Sequence, residues 1–229
     1  LIALKESGSL RGGMDIRKKE KVSFYSHFIA VPAAAAGTLF LALEARHNMP
    51  LFIAVLIYGS TTVFLFASSS LYHMNKKDEN ETTVWRKLDH LAIFFMIAGT
   101  YTPMTLIFLD GPLQTAIIGA QWTLAALGLL FKMFFINAPR FLSTGVYLAM
   151  GWLVLIPLKY FWDAMPGNII IYTALGALAF TLGGVVYAAK RPKCRPDVFG
   201  FHEIFHVLII MGWFFHYLMV YFSVIYQMG

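Results

Sequence analysis

Residues 51–73 read LFIAVLIYGSTTVFLFASSSLYH, a run without one charged side chain that closes on Ser69-x-x-x-His73. At ~1.5 Å per residue, such a run crosses ~30 Å of hydrocarbon as a helix. Similar apolar windows fall at 24–43, 90–109, 113–131, 141–158, 168–189 and 199–226, charge-free but for Glu203 in the last. Backbone groups in lipid must be satisfied within each segment, so the windows predict seven helices. The composition agrees: of 229 residues 59% are hydrophobic and only 13% charged, against roughly one quarter charged in soluble domains. A water-soluble fold and a disordered chain are both excluded. The expected class is all-α, a polytopic membrane protein built as a seven-transmembrane-helix bundle.

The formal charge of +6 does not signal nucleic acid, because the basic residues occupy the gaps between apolar runs. There they determine topology. With the N-terminus cytoplasmic, Lys5, Arg11, Arg17, Lys18, Lys19 and Lys21 lie inside. Lys76, Lys77, Arg86, Lys87, Lys132, Arg140, Lys190, Arg191, Lys193 and Arg195 join them, and only Arg46 and Lys159 fall outside. This split predicts N-terminus in and C-terminus out, with residues 1–20 as a cytoplasmic tail and 21–229 as the membrane domain. Leu1–Gly13 reads in part as a cloning remnant and is left out of the fold reasoning. No cleavable signal peptide is expected, and Cys194, the only cysteine, has no partner for an internal disulfide. The segment 74–88 reads as a solvated loop. A retinal protein is excluded because residues 196–229 hold no lysine for a Schiff base. A G-protein-coupled receptor has the opposite orientation.

Ionisable groups inside a membrane are costly, so each is a functional candidate. His73 ends the second window, Asp89 and His90 open the third, and His202, Glu203 and His206 sit in the first turns of the seventh. All fall near the expected cytoplasmic boundary, in one layer. His202 and His206 are i and i+4 and share a helix face, as do Ser69 and His73. A third imidazole from His73 makes a three-histidine site, the arrangement of a catalytic Zn²⁺ that keeps one position open. Asp89 is then placed to orient a ligand or water there. The implied chemistry is hydrolysis of an amide or ester in a lipid. Each histidine alone reads more simply as an interfacial or hydrogen-bonded residue; it is the co-layered set that points to a metal. His27 reads as a boundary residue and His47 as an outer-loop residue. His90, ~100° around the helix from Asp89, reads as a neighbour rather than a ligand. His216, ~15 Å beyond His206, reads as a buried hydrogen-bonding or cavity-lining side chain. Gly99, Gly176, Gly183 and Gly184 read as helix-contact positions.

His202-Glu203-Ile204-Phe205-His206 also matches the H-E-x-x-H signature of zinc proteases, with Glu203 as base. Leu109-Asp110-Gly111 even resembles the aspartate element of intramembrane zinc proteases. Asp110, however, stands 21 residues after Asp89, or ~30 Å along a helix, at the opposite end of its span. The motif order is reversed as well, and Glu203 points off the two-histidine face.

Taken together, Ser69-x-x-x-His73, Lys87-Leu88-Asp89 and His202-x-x-x-His206-Val207-Leu208 with His216 resemble the progestin and adipoQ receptor (PAQR) family, whose bacterial branch is called hemolysin III. The resemblance spans roughly residues 21–226. It implies a seven-helix bundle with a cytoplasmic N-terminus. It also implies zinc held by His73, His202 and His206, with Asp89 at the water and Ser69 in support. Receptor members look like ceramidases, and bacterial members are linked to haemolysis and membrane lipid homeostasis. The long N-terminal domain of the receptors has no counterpart here, so hormone binding is not carried over. His90 and Glu203 depart from residues common in the family, which leaves substrate choice open. The resulting expectation is a zinc-dependent membrane hydrolase of lipid amides or esters in a bacterial inner membrane, with membrane lipids as partners and no nucleic acid. Its rivals are a non-enzymatic sensor with a structural zinc and a cytolytic protein.

Overall fold

A computed structural model describes residues 16–17, 20–78, 81–192, 194 and 199–229. Most of the expected tail over 1–20 therefore lies outside the described residues. So do Lys5, Arg11, Lys18, Lys19, Lys193 and Arg195 of the charge tally.

The elements are all helices: α1 Lys21–Ala45, α2 Met49–Asn75, α3 Val84–Phe108, α4 Gly111–Phe134, α5 Arg140–Gly151, α6 Leu158–Ala164, α7 Gly167–Ala189 and α8 Phe201–Met228. Local chemistry sets several boundaries. The Asn48 side chain accepts from the Leu51 amide to cap α2, and Pro50 occupies its first turn. Thr83 caps α3 through the Arg86 amide. Short connections between α1 and α2 and between α3 and α4 force neighbouring helices to run antiparallel. α8 packs against α7, α1, α3 and α2 and so closes the bundle. One large apolar core links α1, α2, α3 and α8 through Leu41, Val55, Phe66, Met96 and Val220.

Six helices are long and apolar enough to cross a membrane, and the pair α5–α6 makes the seventh span. The fifth window, expected as one helix over 141–158, is broken. After a 3₁₀ turn at Trp152–Leu155, the chain bends by 55° into α6. Pro157 stands at the break: it lacks the amide that would continue the ladder, and its ring clashes with the preceding turn.

The small residues expected at helix contacts are found there. Gly176 of α7 leaves room for the His216 ring of α8, and a Cβ would collide with it. Gly99 does the same for Thr61 of α2, while Gly183 meets Leu208 and Gly184 meets Thr144 and Leu148.

The antiparallel course brings the C-terminal end of α2 and the N-terminal ends of α3 and α8 to one end of the bundle. Lys76, expected in a solvated loop, is buried there. Ile16 is buried too, and the Arg17 guanidinium donates to the Lys77 carbonyl, so these two residues ahead of α1 pack onto this end.

Candidate metal centre

His73 of α2 and His202 and His206 of α8 each offer one nitrogen, all within 4.8 Å of one another. His202 Nε2 lies 3.3 Å from His73 Nε2 and 3.2 Å from His206 Nε2. A neutral imidazole carries at most one proton on that atom, aimed in one direction. It cannot satisfy two neighbours at once. Three convergent lone pairs are what a single cation satisfies. The spacing also fits: two nitrogens at 2.0–2.1 Å from a tetrahedral zinc stand about 3.3 Å apart.

The other ring nitrogens are held unequally. His73 Nδ1 lies 2.8 Å from Glu20 Oε2. A carboxylate only accepts, so Nδ1 carries the proton and Nε2 keeps its lone pair for the cluster. Glu20 Oε1 in turn pairs with Lys76 Nζ at 3.0 Å. Burial alone would raise the Glu20 carboxyl; the bond from His73 and the charges of Lys76 and His73 override it and hold the group down at about 2, from 4.5. His206 Nδ1 is buried with no hydrogen-bond partner.

Sequence reasoning missed Glu20. Its one signal is an acid standing alone within Arg17-Lys18-Lys19-Glu20-Lys21, directly ahead of the first span. His27 was also under-read: it is no boundary residue. It is buried, with its ring centroid 4.0 Å from that of His206. Its place one turn and a half into α1 faces it inward once α1 packs on α8.

Of the three consecutive serines in the last third of α2, Ser68 and Ser70 donate back to the carbonyls of Leu65 and Phe66. Ser69 instead stands beside the Asp89 carboxylate, near His73, Lys76 and Arg86. Glu203 belongs to the frame. Its Oε2 accepts from the Gly200 amide at 2.8 Å and its Oε1 from the Ser23 hydroxyl at 3.1 Å. It thereby caps α8 and ties it to α1. His216 lies deeper, with Nε2 3.3 Å from the Thr173 carbonyl. Asp110 precedes α4, at the far end of α3 from Asp89.

Two cavities meet at this cluster. An apolar one of about 170 Å³ runs into the bundle past Ser69, Met96, Phe180, His206 and His216. A polar vestibule of about 730 Å³ opens toward the loop ends. Asp89, His90 and His202 line both.

A multi-pass helical membrane protein with a buried three-histidine cluster at one end of the bundle is thus defined. The chain belongs to the Haemolysin-III related family, whose model matches residues 16–217, and so to the hemolysin III branch of the PAQR family. It is 30% identical over 199 residues to Hemolysin-3 of Bacillus cereus, covering 85% of this chain and 87% of that protein. It is 31% identical over 199 residues to the Hemolysin-3 homolog of Bacillus subtilis (strain 168), covering 85% and 89%. A plant relative, heptahelical transmembrane protein ADIPOR2 of Oryza sativa subsp. japonica, is 29% identical over 192 residues, covering 76% and 82%.

Proposed function

We propose that the protein is a zinc-dependent membrane hydrolase of lipid amides or esters, with the metal held by His73, His202 and His206 and with Asp89 and Ser69 as catalytic residues. The observation that carries this reading is the meeting of an apolar cavity and a polar vestibule at three convergent imidazoles, with Asp89 at the junction. Zinc in such a site supplies a Lewis acid that polarises a carbonyl and acidifies water.

The chain's own residues do the rest. The apolar cavity takes an acyl chain and excludes water from it. A carboxylate oxygen of Asp89 accepts the proton of the attacking water and later returns it to the leaving amine or alcohol. The Ser69 hydroxyl donates to Asp89 and keeps that oxygen turned toward the cluster. Glu20 fixes the His73 ring in the tautomer that leaves Nε2 unprotonated.

The test is acyl release from lipid amides and esters by purified protein, with metal analysis in parallel. Asp89→Ala is expected to keep its zinc and lose about 10²–10⁴-fold in rate, the range for removing a positioned proton carrier. His206→Ala is expected to lose both zinc and rate. Release that neither substitution slows would sink the proposal.

A structural zinc pin between α2 and α8 is the rival that the same histidines permit. It predicts a large fall in thermal stability on chelation with no acyl release at any stage. The open cavity beside His202 and His206 favours the enzyme. The name Hemolysin-3 of the Bacillus cereus relative adds a cytolytic reading, which liposome leakage tests directly.

A further inference from the structure

The polar vestibule is cationic in a way the hydrolytic site does not require. Lys76, Arg86, Lys132, Arg140 and Lys190 all line it. The three carboxylates that line it among the described residues are already engaged: Glu20 by His73 and Lys76, Glu203 by Ser23 and the Gly200 amide, and Asp89 beside Ser69 at the inner end.

Lys132 is the sharpest feature. It is 2% exposed, and its Nζ donates to the Ser143 hydroxyl at 2.6 Å and lies over the rings of Phe131 and Tyr147. Among the described residues it has no carboxylate partner, and the charge that bears on it is the like charge of Arg86. Among the described residues Arg86 donates to neutral acceptors, the Glu81 carbonyl and the Asn137 side chain, with the Asp89 carboxylate near but not bonded to it. A buried ammonium without a counterion is costly. Buried charges in folded proteins are as a rule paired, so an unpaired one invites an anion. Lys132 on α4, Arg86 on α3 and Ser143 on α5 reach the same cavity from three helices, so the positive charge is built by the fold rather than by one flexible loop.

We propose that this vestibule is an anion subsite, centred on Lys132 and Arg86, that takes the phosphate of an anionic lipid headgroup while the acyl chains lie toward the apolar cavity. The subsite rests on the lipid-hydrolase reading for its role, and it narrows the substrate class to phosphate-bearing lipids over neutral ones. Lysine supplies a point charge and arginine a fork of donors, the pair suited to a phosphate's several oxygens. Phosphate as a free ion offers the same chemistry, so the two sources are separated by experiment.

The measurement is thermal unfolding of the full chain in a neutral detergent, with and without metal. It is titrated with short-chain phosphatidylglycerol, diacylglycerol of the same chains, glycerol phosphate and inorganic phosphate. Phosphatidylglycerol is expected to stabilise the wild type at concentrations about tenfold or more below those of diacylglycerol, the worth of one charge-assisted contact. Lys132→Met and Arg86→Gln are each expected to erase that preference. Lys132→Met removes an unpaired buried charge and keeps the volume, so it is expected to fold; Arg86→Gln checks the result at a second position. Stabilisation by the lipid alone identifies a headgroup, and equal stabilisation by inorganic phosphate identifies the free anion; either upholds the subsite. Equal response to the two lipids in the wild type, or preference retained in both variants, overturns it. The hydrolase reading fails separately: Lys132-dependent binding without acyl release would leave the subsite standing and remove the enzyme.

Discussion

His73 is held from both sides, with Nε2 turned to the histidine cluster and Nδ1 bonded to Glu20. Carboxylates in this position orient a ligand ring and raise its basicity. Glu20→Gln keeps the shape and removes the charge, and it is expected to weaken zinc binding by about 10–100-fold with all three histidines in place, read by competition against a chelator. Unchanged affinity would reduce Glu20 to a partner of Lys76. The same group sets a pH dependence. Its folded value of about 2 lies below the ordinary 4.5, so its contribution to stability is complete above 4.5 and fades as pH falls toward about 2. In metal-free protein, the gap in Tm between wild type and Glu20→Gln is expected to be nearly flat above pH 5 and to narrow progressively as pH falls toward about 2. A gap at pH 3 undiminished from its value at pH 7 contradicts the pairing. Glu20 is also the residue that sequence could least reveal. It lies 53 positions from His73, and only the folding of the chain onto the bundle end joins them. His202 and His206, one turn apart on a single face, needed no such knowledge.

Helix α8 carries two kinds of side chain in its first turns, and their offset of one position separates their roles. His202 and His206 share the face toward α2, while Glu203, ~100° around, turns back to its own N-terminus and to Ser23 of α1. Glu203→Ala therefore is expected to cost about 1 kcal/mol, the usual worth of a cap, and to leave metal content and acyl release per folded molecule unchanged. A rate loss of about 10² or more would restore the protease-like reading, in which this glutamate is the base. At this scale the sequence was legible wherever one apolar run met one boundary signal. Asn48 with Pro50 marks the start of α2, whereas α3 begins earlier than expected: residues 84–88, read as solvated loop, form its first turn behind the Thr83 cap. The fifth span was not legible as a break, because hydropathy is blind to geometry. Pro157 interrupts the ladder without changing the apolar character of the window, and the bend of 55° follows from the missing amide.

Across the whole molecule, the cluster, the vestibule and Ile16, Arg17 and Glu20 ahead of α1 all occupy one end of the bundle, which makes its orientation a functional matter. The balance of Lys and Arg predicts that this end faces the cytoplasm. The basic residues at this end are not topology markers alone, since Lys76 and Lys132 are buried and Arg86 donates into the loop at Asn137. Some of the charge expected to orient the chain is thus the same charge that lines the vestibule, which the tally of residues could not reveal. Cys194 offers a direct check. It is the only cysteine, it is exposed, and it lies in the connection between α7 and α8, two positions after Pro192, which lines the vestibule. A membrane-impermeant maleimide applied to intact cells or right-side-out vesicles is expected to leave Cys194 unlabelled and to label it after permeabilisation. A cysteine placed at His47, between α1 and α2 at the other end, in a Cys194→Ser background is expected to label in both conditions. The reverse pattern would turn the protein over. The three-histidine cluster would then face the outer leaflet, and any lipid that reaches Asp89 would have to come from that side.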